Sequence, residues 1–133
     1  VKPLETVPAP QPEVAGVHHS QVNVRGVRLH VAQAGTGEPV VLLHGFPQHW
    51  YGWRRLIPLL SERYRLICVD QRGFGWSDAP ARGYDTDSRV ADIIGLLDAL
   101  GLDRVRLIGH DWGRGPGSTS VSRLRNASGT SWR

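Results

Sequence analysis

Five residues constrain this chain more than any others: Gly109, His110, Asp111, Trp112 and Gly113, which directly follow the apolar run 105–108. Small residues two before and two after a central side chain let a strand turn sharply into a helix and hold that side chain strained and exposed. Such a turn is a nucleophile elbow, and its centre here is a carboxylate, Asp111. A carboxylate nucleophile suits attack on saturated carbon, leaving an ester that water must later split. The plainer reading of the same five residues is a strand ending in a Gly-rich turn with a capping Asp. The rest of the chain has to decide between them.

The chain has 133 residues, enough for one domain, whereas α/β folds with an elbow of this kind usually need about twice that length. An incomplete domain is therefore expected. Sixteen Lys and Arg exceed twelve Asp and Glu, but Arg114, Arg123, Arg125 and Arg133 all follow the elbow with no acid among them. The body before the elbow is neutral, which argues against nucleic-acid binding. Cys68 is the single cysteine and sits in an apolar run. It fits a buried thiol in a reducing compartment, the cytoplasm, and excludes an internal disulfide. No metal-ligand cluster and no cofactor motif are expected.

Residues 1–16 carry four prolines and few large apolar side chains, and are expected to be a disordered lead-in without the order of a secretory signal. Alternating valines and leucines around Arg25-Gly26 predict an antiparallel hairpin, 18–24 and 27–34, with one face buried. The apolar runs 39–43, 65–70 and 104–109 read as strands covered on both faces. Between them, spacing near 3.6 predicts helices over 53–62, weakened by Pro58, and over 87–100, capped by Thr86 or Asp87 and ended by Gly101. Strands alternating with helices imply a mostly parallel sheet with right-handed crossovers.

His44-Gly45-Phe46-Pro47 follows the first of these runs, Asp70-Gln71-Arg72-Gly73-Phe74-Gly75-Trp76-Ser77 the second, and the elbow the third. In order and spacing the three motifs resemble the α/β-hydrolase fold. With an Asp nucleophile and Phe-Pro after His-Gly, the chain is most similar to the epoxide hydrolase branch, with haloalkane and haloacid dehalogenases of that fold as the alternative. The resemblance covers about 18–113 and implies a mostly parallel sheet, preceded by the antiparallel hairpin, whose strand ending at Asp70 lies beside that hairpin, while the strand ending at Gly45 lies beside the elbow strand. It implies a small apolar substrate, an epoxide or alkyl halide, with no nucleic-acid or membrane partner.

The resemblance also implies an oxyanion hole made by two backbone N–H groups, from the residue after the nucleophile and from the loop after the first central strand. These would be Trp112 and Phe46. Losing one such donor typically costs about 3 kcal/mol of transition-state stabilisation. His44 is read as shaping its loop, because the family's catalytic histidine comes late in the chain, after the catalytic acid. His110 is read as packed against the sheet, and His18, His19, His30 and His49 belong to no motif. Asp70 with Arg72 is read as a loop-fixing ion pair, and Asp78 as turn chemistry. Of Trp50, Tyr51 and Trp53, which more often anchor a helix to a sheet, Trp50 is the candidate pocket wall.

After the elbow the pattern departs from the family. Gly113 to Ser120 hold three glycines and a proline where a helix should start, and 114–133 contain no Asp, Glu or His. Read with four-fold codon boxes and shifted by one base from the end of Gly113, the same stretch permits AWAGFHLRLAAPERFRDLLA, an amphipathic helix, a turn and the start of a strand. Residues 17–113 are thus expected to form a truncated core and 114–133 an irregular, frameshifted tail. Three classes of function remain open at this point: a hydrolase fragment inactive as written, a non-enzymatic fragment, and a module binding polyanions through the tail arginines.

Overall fold

The computed structural model describes residues 10–110 and 119–125, with His110 and 119–125 given by backbone alone. Strands β1 (His18–Val24) and β2 (Val27–Ala34) pair antiparallel across a two-residue turn. Arg25 and Gly26 both take positive φ, 52° and 80°, as the tight turn that matches strand twist requires. β3 (Glu38–Leu43), β4 (Tyr64–Val69) and β5 (Arg104–His110) follow. With β6 (Thr119–Arg125) at the far edge, the sheet runs β1-β2-β4-β3-β5-β6, with β4 antiparallel to β2 and the pairs β3–β4 and β3–β5 parallel. The strand ending before Asp70 thus lies beside the hairpin, and β3 lies beside the elbow strand, as the motifs imply.

Alternation along β3 and β4 splits the core into two layers. Val41, Ile67 and Val69 join Leu29, Val31, Val105 and Leu107 beneath α2 (Thr86–Ala99), which contributes Ile93, Leu96 and Leu97. Val40, Leu42, Leu66 and Cys68 face the other way, against Trp50, Trp53 and Ile57. A fully buried leucine such as Leu96 or Leu97 contributes about 1.5–3 kcal/mol relative to exposure.

The helices differ in detail from expectation. The segment expected to be one helix over 53–62 is a 3₁₀ turn, Trp50–Trp53, followed by a single helical turn, α1 (Ile57–Leu60). Pro58 supplies no N–H and is tolerated only in a first turn, so the helix restarts around it. The cap of α2 is Asp85, one residue before the expected Thr86. Its carboxylate accepts the Ser88 N–H at 3.0 Å. At the other end Gly101 has φ 70°, and the Gly101 and Leu102 N–H groups return to the Asp98 and Leu97 carbonyls. That is a complete Schellman stop.

Two expectations at the chain's margins change. Val14, from the stretch read as disordered, packs against the second layer, while residues 1–9 lie outside the described residues. Within the tail read as irregular, β6 (Thr119–Arg125) pairs antiparallel with β5 along its whole length. An unpaired β5 edge is a template for any extended segment, and glycine and proline, which disfavour strands, are absent from 119–125. Residues 111–118 and 126–133 lie outside the described residues.

Candidate active site

In open α/β sheets the ligand crevice forms beyond the carboxyl ends of the strands, where neighbouring strands send their connections to opposite sides. β3 leaves toward β4 through α1, whereas β4 crosses through α2 to β5. Leu43 lies directly opposite Gly109 in the parallel register. The His44-Gly45-Phe46-Pro47 loop therefore leaves the sheet alongside the end of the elbow strand. Asp111 and Trp112 themselves lie outside the described residues, as does the side chain of His110.

The loop is held at both ends by β4's own exit. His44 is buried; its Nε2 accepts the Gln71 N–H at 3.0 Å, its Nδ1–H donates to the Gly45 carbonyl at 3.0 Å, and its own carbonyl accepts the Gln71 side-chain amide at 2.9 Å. One ring nitrogen accepting and the other donating requires the neutral ring. Burial also lowers the His44 pKa, with the Gly45 hydrogen bond acting in the opposite direction. A histidine so occupied shapes its loop. At the far end the Trp50 N–H donates to Asp70 Oδ1 at 2.7 Å. Between these anchors a turn from Gln48 N–H to the Gly45 carbonyl, 2.8 Å, bends the chain, and the Phe46–Pro47 peptide is cis. The Phe46 side chain is 68% exposed, with its ring edge-on to Phe74.

Asp70 does not pair with Arg72. Its fully buried carboxylate meets His30 Nδ1 at 2.8 Å and accepts the Trp76 N–H at 3.0 Å, both at Oδ2. His30, also fully buried, meets His19 Nδ1 through its Nε2 at 2.9 Å. With Asp70 ionised, His30 donates at Nδ1 and accepts from His19. Arg72 turns the other way and grips Asp92 of α2 through two contacts of 2.6 and 2.7 Å. The Asp92 hydrogen bond is the main cause of a raised Arg72 pKa. Asp92 stands on the buried face of a helix, where its carboxylate matches the guanidinium at two points. Asp78 accepts the Arg28 N–H at 2.9 Å, fastening the Gly-rich loop to the hairpin.

His30 and His19 are the residues that sequence reasoning missed. One signal was available: His30 interrupts a stretch, Leu29 to Ala32, that is buried on both faces, and a buried imidazole there needs a partner. Trp50 is fully buried in the second core layer, edge-on to His19 at 5.0 Å. Among the described residues no group of three His, Cys, Asp or Glu side chains could hold a metal ion, and no helix is long and apolar enough to cross a membrane.

Comparison with known proteins bears on the same region. The family described as alpha/beta hydrolase fold matches residues 38–119. A soluble epoxide hydrolase of Corynebacterium sp. (strain C12) is 46% identical over 97 residues, 73% of this chain and 34% of that protein. Epoxide hydrolase 2 of Siraitia grosvenorii is 48% identical over 100 residues, 73% of this chain and 32% of that protein. Among solved structures, the epoxide hydrolase CorEH without ligand superposes with a TM-score of 0.71 at 46% identity, over 73% of this chain and 34% of that one. The chain thus spans about a third of the length of the curated relatives it matches.

Proposed function

The chain belongs to the α/β-hydrolase fold family, and we propose that its chemistry is that of an epoxide hydrolase-like enzyme working through an aspartyl ester at Asp111. The observation that carries the reading is the register of Leu43 opposite Gly109. From there two residues lead to Gly45 on one strand and two to Asp111 on the other. In the proposed reaction an Asp111 oxygen attacks a ring carbon of the epoxide, the ring C–O bond breaks, and the released oxygen takes a proton. Water then adds to the ester carbonyl. The Phe46 and Trp112 N–H groups stabilise the resulting oxyanion, and the diol leaves as the acyl C–O bond breaks. The buried thiol of Cys68 is consistent with residence in the cytoplasm.

Ester breakdown needs a base for water. His44 is committed to its loop, and 114–133 offer no Asp, Glu or His. In this reading residues 1–133 hold the nucleophile that forms the ester but not the base that speeds its release, and the stretch after Gly113 is a shifted reading frame. Resequencing through the Trp112 and Gly113 codons tests the second point directly.

The test of the chemistry is intact mass after incubation with a panel of reactive epoxides. One adduct per chain is expected, located at Asp111 by peptide mapping and absent in Asp111→Asn. An adduct on another residue, or equal labelling of Asp111→Asn, refutes the nucleophile assignment. Many turnovers by this polypeptide refute the single-step reading.

A further inference from the structure

We infer that Asp70, backed by His30 and His19, is a positioning residue for the oxyanion donor Phe46; the inference rests on the proposed aspartyl-ester chemistry. The loop bearing Phe46 is suspended between two neighbours at the end of β4. Gln71 takes its front at His44, and Asp70 takes its back at the Trp50 N–H. The front anchor lies two residues before Phe46 and the back anchor four after it, with the Gly45 to Gln48 turn between. A shift of Asp70 therefore moves the back of the loop while β3 and β4 remain in register.

Asp70 is itself fixed from three directions. His30 on β2 holds Oδ2 at 2.8 Å, and the Trp76 N–H reaches the same oxygen at 3.0 Å from the Gly-rich loop. The Ser77 hydroxyl donates to the Asp70 carbonyl. His19 on β1 secures His30 from behind, stacked at 5.1 Å between ring centroids. Gly75, at φ 53°, leaves the space the carboxylate occupies, because a Cβ there would collide with it. Charge-assisted hydrogen bonds to a buried carboxylate are among the stronger ones available to a protein. Several groups are built around this one carboxylate, which is fully buried. Asp70 meets the Phe46 loop at the Trp50 N–H. Placing an oxyanion donor to a few tenths of an ångström is a demand that fits it.

Formation and breakdown of the Asp111 ester separate positioning from general scaffolding. Formation needs the nucleophile, whereas hydroxide-driven release in mildly alkaline buffer needs the oxyanion donors. In Asp70→Asn one acceptor oxygen becomes an amide, so the Trp50, Trp76 and His30 donors can no longer all be satisfied. Label formation is expected to stay within about three-fold of the unsubstituted chain, while release slows by at least about ten-fold. Amide ¹H–¹⁵N shifts of Phe46, Trp50 and Trp76 should move, with those of Val41 and Ile67 unchanged. If Asp70→Asn does not fold, His30→Leu serves the same purpose by removing one donor, and His30→Gln, which retains a donor, should restore release. Equal losses in formation and release, or unchanged release with an unmoved Phe46 amide, would overturn the inference. Absence of any label on the unsubstituted chain would refute the Asp111 reading instead, and the Phe46 amide shift would still decide whether Asp70 holds the loop.

Discussion

The His44 Nε2 accepts the main-chain N–H of Gln71 at 3.0 Å while the Gln71 amide donates back to the His44 carbonyl at 2.9 Å. This reciprocal clasp joins the ends of two parallel strands by direct hydrogen bonds. Removing the imidazole in His44→Ala leaves a buried N–H unsatisfied and should cost about 1–3 kcal/mol. The pH dependence follows from burial. His44 has a lowered pKa in the fold, so below its ordinary value of 6.5 the unfolded chain takes up the proton first. Stability from this group is present above pH 6.5 and declines as the pH falls below it. Urea midpoints measured between pH 7 and pH 5 should drop more steeply for the unsubstituted chain than for His44→Gln; parallel slopes would contradict the assignment.

Arg72 and Asp92 form a buried, two-point pair whose side chains are 8% and 4% exposed. Deleting Asp92 takes the carboxylate away from the buried Arg72 guanidinium, and Asp92→Ala should cost about 3–5 kcal/mol, whereas without Arg72 the Asp92 carboxylate still meets Arg25 at 3.5 Å. Replacing both, as Arg72→Met with Asp92→Leu, should cost much less, since apolar groups of similar volume need no partner. Thermal or urea unfolding of the two singles and the double measures the coupling. A double variant as damaged as the singles combined would show that packing, not charge, dominates.

Much of this architecture is legible in the residues. Hairpin alternation about Arg25-Gly26 locates β1 and β2 at their observed bounds, and the three motifs at strand ends fix the order that places β3 between β4 and β5. What periodicity does not carry is partner choice. Asp70 and Arg72 are two residues apart and opposite in charge, and strand alternation would put them on one face, but β4 ends at Val69 and the chain turns beyond it, so each finds its partner on another element: His30 on β2 and Asp92 on α2. Those pairs are set by three-dimensional proximity across 40 and 20 residues of sequence. The segment 119–125 lacks apolar helical spacing, but pairing with a vacant edge is a property of the backbone that this spacing does not report.

Two glycines with similar positive φ should respond differently to alanine. Gly101, at 70°, has open space where a Cβ would stand. Gly101→Ala therefore meets only the backbone penalty and should cost about 1 kcal/mol. Gly75, at 53°, faces the Asp70 carboxylate, and a Cβ there must displace a buried charged group. Gly75→Ala should be the more destabilising by at least about 1–2 kcal/mol. Paired urea titrations decide; equal midpoints would mean that the Gly-rich loop yields without disturbing Asp70.

The last prediction concerns Cys68, which is 1% exposed between the second core layer and the sheet. Burial is the main cause that pushes its thiol from an ordinary 9.0 up to about 12, with the nearby Asp70 charge adding to it. Thiolate is the reactive form, so a disulfide reagent should leave the folded protein untouched at neutral pH and modify one thiol per chain once urea opens it. The same burial sets an alkaline limit. Above pH 9 the unfolded thiol ionises while the folded one stays protonated, so the contribution to stability is intact below pH 9 and is lost as the pH rises toward 12. That interval corresponds to at most about 4 kcal/mol. Cys68→Ala, although it loses some packing, should flatten this alkaline decline relative to the unsubstituted chain. Rapid modification of the folded protein at neutral pH, or an identical alkaline slope in Cys68→Ala, would show that the second layer opens well before the sheet unfolds.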